Sequence, residues 1–225
     1  MLAHIFEAAG LATVTLASML PVAEKIKAPR VLHGEFPLGR PLGHPADPAF
    51  QHDVLARAFA LLERSEGPVL ESHPVVIEEA TEAASCRLPA AYDGTASPAV
   101  EEARGIRKAY DRVRDRRGVT SVGRAITADE VPDALDALEA IASGTHFKDV
   151  ALPGKNTIAV CHDIRTYYEE AALELAAGPP PGGRAIEAWF FEETEAGRTV
   201  LAARAAIREQ EAPFPFWFYM APGHR

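Results

Sequence analysis

The first third of the chain alternates between short apolar runs and a segment with helical spacing. Residues 12–17 form a β-prone run of alanines, threonines, a valine and a leucine. Residues 21–27 place apolar side chains at helical spacing, and residues 30–33 begin a second strand-like run. This pattern predicts a βαβ unit of a Rossmann-like α/β part, in which the following loop leaves the carboxyl end of the second strand.

An amphipathic helix is predicted next, over residues 49–64. Asp47 supplies an N-cap, and Pro48 supplies the proline that is common in a first helical turn. A Gly-Pro pair at residues 67–68 ends the helix. Residues 69–77 then predict a strand, which a proline inside the run restricts to a sheet edge or a short piece.

The second half is predicted to be mostly helical. Glycines and prolines separate helices at about 98–117, 127–143, 163–177 and 184–210, with a break near Gly197. Two starts are open for the second of these helices. Thr127 to Glu130 matches a capping box, whereas Pro132 favours a start near itself because a proline inside a helix removes a hydrogen bond.

These elements predict an α/β protein with two parts. Residues 1–85 form the βαβ-containing part, residues 86–98 a loop, and residues 98–225 the mostly helical part. One compact domain overall remains an alternative at this length.

Composition excludes several classes of protein. The chain is 48% hydrophobic and 24% charged, with a net charge of −9, which is ordinary for a globular protein and unfavourable for nonspecific binding to nucleic acid or anionic membranes. The arginine-rich run at 104–117 has acidic neighbours and is typical of a solvated helix face. Residues 2–20 are apolar but contain His4 and Glu7, and they lack the basic start of a signal peptide. We therefore expect a cytoplasmic protein without nucleic-acid or membrane partners.

A stiff loop at Glu35–Asp47 is the strongest candidate site. It contains Pro37, Pro41 and Pro45, which fix φ, and Gly39 and Gly43, which permit close approach of the backbone.

The same loop carries charged side chains. Glu35, Arg40 and His44 lie on the loop, and His33 precedes it. A guanidinium can bind a substrate carboxylate in a bidentate manner, and an imidazole can move a proton. The loop therefore predicts a site for a small carboxylated substrate.

The same segments carry a resemblance to a known family. Glu7-Ala-Ala-Gly-Leu-Ala-Thr-Val14, Ala28-Pro-Arg30, Phe36-Pro-Leu-Gly-Arg-Pro-Leu-Gly43 and Asp47-Pro48 resemble the selenoprotein B subunits of glycine, sarcosine, betaine and D-proline reductases, over about residues 4–63. The resemblance implies reductive cleavage of a C–N bond in a small amine or amino-acid-like substrate. It also implies that the site is lined by Gly10, Thr13, Pro37, Gly39, Pro41 and Gly43.

The family's nucleophile is a selenocysteine or cysteine ahead of the segment that matches Glu7 to Val14. That motif is absent from this chain. The resemblance therefore implies a nucleophile from an upstream segment or a partner subunit. No cofactor is predicted.

Two cysteines offer an alternative nucleophile. Cys161, His162 and Asp163 form the densest group of reactive side chains, and Cys86 lies beside Arg87, whose charge would favour a thiolate. Neighbouring helical residues diverge by about 100°, so a Cys161–His162 pair need not meet. The competing interpretation makes Cys161 a buried small residue near a helix start, with Asp163 as the cap. No metal-ligand spacing occurs, so no metal site is predicted.

The C-terminal segment 212–221 is rich in aromatic residues. It is expected to fold back on the protein, with Trp189, Phe190 and Phe191 as receivers, or to dock into a partner subunit or second copy.

Three functions follow from these patterns: a subunit of a selenoprotein B-like reductase, a noncatalytic binding or assembly subunit, and an enzyme that depends on Cys161.

Overall fold

The structure, a computed structural model, describes residues 2–37, 39–78, 83–88, 94–178 and 181–225. It divides into two compact units, unit 1 over residues 1–79 and unit 2 over residues 80–225. The protein is an α/β protein in which most of the ordered elements are helices.

Unit 1 is built on a small parallel sheet. Its three strands lie in the order β1-β2-β3, with Ala17 paired to His33 and His33 paired to Ser72 at one end. The elements in chain order are α1 (Leu2–Ala8), β1 (Thr15–Ala17), α2 (Leu20–Ile26), β2 (Arg30–His33), α3 (Pro48–Ala60) with a 3₁₀ turn (Leu61–Glu63), and β3 (Val69–Ser72).

Helices cover both faces of the central strand. Val31 packs with Ala23 and Ala28 on the α2 side, whereas Leu32 packs with Val54 on the α3 side. Successive side chains of a strand point to opposite faces, so this alternation places one apolar cluster on each side of β2. The predicted βαβ unit and the helix with its Asp47 cap are therefore confirmed, the Asp47 carboxylate accepting the Phe50 N–H at 3.0 Å.

The predicted strand at 69–77 is shorter than expected. Among the described residues β3 ends at Ser72 and pairs with β2 alone, which makes it an edge strand as predicted. His73 and Pro74 follow the strand directly, and the proline cannot continue the ladder of hydrogen bonds.

Unit 2 is a helical assembly around a large apolar core. The most extensive helix–helix contacts are those of α4 with α6 and of α5 with α8. Its helices are α4 (Pro98–Arg117), α5 (Val131–Ala142), α6 (Thr157–Leu175), α7 (Gly183–Glu193), α8 (Glu195–Glu209) and the short α9 (Phe214–Phe218). Trp189, Tyr110, Tyr167, Tyr168 and Phe190 are the largest fully buried side chains.

The structure corrects the start of one predicted helix and confirms the break in another. The helix predicted at 163–177 begins six residues earlier, because Asn156 caps it by accepting the Ala159 N–H at 3.0 Å. The prediction of Asp163 as the cap was therefore wrong. The break predicted near Gly197 in the helix at 184–210 is confirmed: two helices meet at Thr194, whose hydroxyl accepts the Gly197 N–H at 3.0 Å.

Helix α5 begins near Pro132, which is the second of the two predicted starts. Pro132 lies in the first turn, and Thr127 to Glu130 forms a turn ahead of the helix. The Thr127 N–H and hydroxyl both donate to the Glu130 carboxylate at 2.8 Å, so the hydroxyl does not cap a helical N–H as the capping box required.

Two carboxylates on α6 hold the loop between α4 and α5. Glu170 accepts the Thr120 hydroxyl and the Ser121 N–H, both at 2.8 Å. One side-chain oxygen of Asp163 accepts the N–H groups of residues 123 and 124, and the other accepts those of residues 125 and 126, at 2.7–3.1 Å. Loop residues that would otherwise need water are thereby fixed against the helix.

The C-terminal aromatic segment packs on unit 2, but on other residues than predicted. Trp217 lies beneath the guanidinium of Arg208, 5.2 Å from the ring centre, and Phe147 approaches Phe216 at 6.2 Å. The described contacts of its rings therefore involve α8 and residue 147 rather than the predicted aromatic receivers at 189–191. Those receivers are buried in the core of unit 2.

Candidate functional site

The stiff loop after β2 is held against α3 by one glycine. Gly43 is buried at φ +78°, and a Cβ atom there would lie 2.2 Å from the Phe50 ring. Pro37 is also buried, whereas Gly39 adopts φ +84° on the exposed side. The backbone of the loop is thus fixed at Pro37 and Gly43. Residues 39–41 are exposed, whereas Leu42 is half-buried against the apolar cluster on the α3 side.

The charged residues predicted to bind substrate lie on this exposed side. Glu35, Arg40 and His44 are all exposed, and His44 packs its ring edge against Phe50 at 5.4 Å. The loop therefore presents a carboxylate, a guanidinium and an imidazole at the carboxyl end of β2, as predicted. Such a surface can bind a small charged molecule through Arg40.

Thr13 is not part of that surface. It precedes β1, at the amino end of the sheet, whereas the loop leaves the carboxyl end of β2. Its N–H and hydroxyl both donate to Glu7, at 2.5 and 2.9 Å. The structure therefore separates Thr13 from the other predicted substrate-binding residues.

Glu7 organises a network of its own. Besides the two bonds from Thr13, its carboxylate oxygen accepts from the Arg30 guanidinium at 2.7 Å. The bond from the Thr13 N–H is the largest cause that lowers the pKa of Glu7. Arg30 also donates twice to the Arg64 carbonyl, at 3.0 and 2.8 Å, so the network ties α1 and β2 to the end of the α3 region.

Sequence reasoning missed a buried histidine beside the loop. The His73 side chain is fully buried, with Phe36 and Phe50 packed at 5.3 and 5.2 Å. Its Nε2 lies 3.0 Å from Asp53, and its Nδ1 accepts the Val75 N–H at 3.2 Å. Both ring nitrogens are therefore occupied, and the pair serves to fix the chain after β3. The available signal was a histidine directly before the proline inside the strand predicted at 69–77.

The two thiols have environments that oppose reactivity. Cys161 lies in the second turn of α6, is 2% exposed, and has a pKa raised to about 12 by burial. Burial also raises the pKa of Cys86 to about 11. A thiol with such a pKa is almost wholly protonated at neutral pH, and the thiolate is the nucleophilic form.

His162 does not pair with Cys161 in a way that would activate it. Its Nδ1 lies 3.2 Å from the Thr166 hydroxyl, one turn further along α6. The predicted burial of Cys161 is confirmed, and the structure favours a structural role for that residue.

Within the described ranges, no group of three or more histidine, cysteine, aspartate or glutamate side chains is placed to hold a metal ion. Across the same residues, none of the helices has the length and apolar character needed to cross a membrane.

Comparison with protein-family models, with curated proteins and with solved structures found no match to this chain.

Proposed function

We propose that this chain is a component of a thiol- or selenol-dependent reductase resembling the selenoprotein B subunits, acting on a small amine or amino-acid-like substrate in the cytoplasm. The observation that carries the proposal is the network of Glu7, Thr13 and Arg30. These residues come from two separate segments of the resemblance, and they meet around one carboxylate. The matching segments therefore form one connected unit at the amino end of the sheet.

The arrangement of unit 1 agrees with the proposed scaffold. Sequential parallel strands in the order β1-β2-β3, with helices on both faces, are compatible with the first half of a Rossmann-like fold. In such sheets ligands bind beyond the carboxyl ends of the strands. Glu35, Arg40 and His44 occupy that position after β2.

The nucleophile is assigned to another segment or to a partner polypeptide. Burial raises the pKa of both thiols far above neutrality, so neither Cys86 nor Cys161 is suited to attack a substrate. In this proposal the chain contributes the scaffold and the Arg40 guanidinium, which binds the substrate carboxylate.

A reductase assay on the native complex tests the proposal. The tagged chain is purified from its own cells with its bound subunits, and it is incubated with glycine, sarcosine, betaine or D-proline. Dithiothreitol supplies two electrons by becoming a disulfide, and products of C–N cleavage are measured by mass spectrometry. We expect one substrate to be cleaved, and we expect the double variant Cys86→Ser/Cys161→Ser to retain that activity.

Two variants sharpen the result. Arg40→Gln should raise KM for a carboxylate substrate, whereas Arg117→Gln, which removes an exposed arginine at the end of α4, should leave KM unchanged. Absence of cleavage by the complex would refute the reductase. Loss of activity in a folded Cys161→Ser variant would instead support the cysteine-dependent enzyme.

A noncatalytic assembly subunit is the second candidate, and one surface of unit 1 favours it. Apolar side chains of α1 and α2 are unusually exposed, at 59% for Ile5, 45% for Phe6 and 49% for Ile26. Ile26 lines a groove between β1 and α2, together with Val22 and Ala23. Exposed apolar surface of this kind is typical of protein interfaces.

Light scattering coupled to size exclusion, with cross-linking of the native complex, tests this second function. Ile5→Glu should release unit 1 from its partner chain or reduce self-association. Val119→Glu is the matched control, since Val119 is 64% exposed in unit 2. Equal behaviour of both variants and the unchanged protein would count against an assembly role for this surface.

A further inference from the structure

A small cavity opens at the amino end of α6, in unit 2. Its volume is about 210 Å³. Arg124 comes from the loop before α5, His162 and Arg165 from α6, and Tyr219 from the C-terminal segment. The cavity is therefore assembled from three separate parts of unit 2.

Positive charge dominates the lining. Two arginines and a histidine line the cavity, and none of its described lining residues carries a carboxylate. Within the part of the chain that the structure describes, Arg124 forms no ion pair, whereas Arg165 lies 3.1 Å from the Glu169 carboxylate. One guanidinium is thus available without a competing acid, whereas the other is ion-paired with a neighbour on its own helix.

The arginine charges also change the titration of the histidine in the cavity. The pKa of His162 is lowered by burial first, and then by the charges of Arg124 and Arg165, against an opposing effect of Asp163. The charged groups that act on His162 are thus Arg165 and Asp163 from its own helix and Arg124 from the loop, and Tyr219 also lines the cavity. The two guanidinium charges therefore outweigh the single acid at this position.

Asp163 cannot swing into the cavity to neutralise it. Both of its carboxylate oxygens are held by the backbone N–H groups of residues 123–126, and the residue is completely buried. The amino end of α6 adds its own partial positive charge, which favours an anion nearby.

Part of the lining is apolar. Ile158, Ala159 and Met220 line the cavity together with Asn156 and Cys161, and Met220 is buried in the core. A molecule in the cavity therefore meets both charged and hydrocarbon groups.

We propose that this cavity binds a small oxyanion, a carboxylate or phosphate head group on a short apolar body, held by Arg124 and Arg165 with His162 as a further donor. A guanidinium fits both head groups in a bidentate manner. The apolar body lies against Ile158 and Met220. This site is in unit 2 and does not depend on the proposed reductase function.

NMR titration of the full chain tests the proposal. The ring C–H signals of His162, assigned with His162→Gln, are followed while butyrate, acetate or inorganic phosphate is added at constant ionic strength. We expect saturable shifts at His162 and an increase in its pKa, because a bound anion stabilises the protonated ring. Butyrate binding more tightly than acetate would identify a carboxylate with an apolar body, whereas tightest binding of phosphate would identify a phosphorylated ligand.

Matched variants separate this site from general surface charge. Arg124→Gln removes an exposed side chain and leaves the backbone bonds to Asp163 in place, so it should fold and weaken binding about tenfold or more. Arg165→Gln should act in the same direction. Arg117→Gln changes the net charge equally and should have no effect.

Two results would overturn the proposal. One is the absence of saturable shifts at His162 with all three anions. The other is equal weakening by Arg124→Gln and Arg117→Gln, which would mean that only diffuse charge attracts the anion. Neither result bears on C–N cleavage by the native complex.

Discussion

Asp163→Asn should be among the most destabilising polar substitutions in unit 2. The carboxylate is completely buried and accepts four backbone N–H groups, from residues 123–126, at 2.7–3.1 Å. An asparagine keeps one oxygen for two of these donors and turns an NH₂ group toward the other two. Hydrogen bonds to a charged group contribute about 1.5–3 kcal/mol each, so losing two should cost about 3–6 kcal/mol.

The stability lost in Asp163→Asn should depend on pH in a defined direction. Burial alone would raise the pKa of Asp163, but the four N–H donors together lower it below the ordinary value. A carboxyl with a lowered folded-state pKa stabilises the protein fully above its unfolded pKa, about 3.9. That contribution falls as the pH drops below this value and disappears once the folded-state pKa is passed. The difference between the original protein and the variant should therefore be constant above about pH 5 and shrink in acid.

Urea unfolding followed by tryptophan fluorescence measures this difference. Both tryptophans of the chain, Trp189 and Trp217, lie in unit 2, so the signal reports on that unit. Asp136→Asn is the control, because Asp136 is exposed on α5 and should change the free energy of unfolding by less than about 0.5 kcal/mol. A loss of less than about 1 kcal/mol for Asp163→Asn, or a loss that grows in acid, would refute the reasoning.

Further substitutions in unit 2 give additional expected outcomes. Cys161→Ser places a hydroxyl in a site that is 2% exposed, and it should lower the free energy of unfolding by about 1–3 kcal/mol in the same urea assay. Thiol titration with a chromogenic disulfide near pH 7 should find Cys161 unreactive until urea is added, because burial raises its pKa to about 12. Rapid reaction of Cys161 in the folded protein would contradict this expectation. Gly197→Ala should destabilise the protein on the order of 3 kcal/mol, since its Cβ would collide with the Phe190 carbonyl. Gly105→Ala, on the exposed face of α4, should instead stabilise it by about 0.5–1 kcal/mol. Thermal unfolding that shows the same sign for both variants would contradict the packing argument.

Local patterns were sufficient to predict much of this fold. The cap at Asp47, the alternation of β2 and the glycines that end helices all act within a few residues, so their signals lie in the sequence itself. The start of α6 was misplaced because two strong N-cap residues, Asn156 and Asp163, lie seven positions apart. Sequence alone does not show which of them has a distant partner to satisfy.

The candidate sites were harder to predict, because they depend on contacts between distant segments. Thr13 was grouped with the loop after β2, yet a parallel sheet places them at opposite ends. His73 and Asp53 are 20 residues apart and meet only when α3 packs on the sheet. The cavity around His162 likewise needs a loop and a C-terminal segment that no local periodicity connects to α6.

The run Cys161-His162-Asp163 illustrates how helical geometry separates neighbouring reactive groups. Because successive residues of a helix diverge by about 100°, Cys161 is buried in the core at the cavity wall, the imidazole lines the cavity beside the arginines, and the carboxylate holds the loop at residues 123–126. The last two roles are linked, since Asp163 fixes the backbone of Arg124, the same residue that supplies a guanidinium to the cavity. Weakening the anchor at Asp163 should therefore also weaken anion binding, even though Asp163 itself carries the wrong charge to bind an anion.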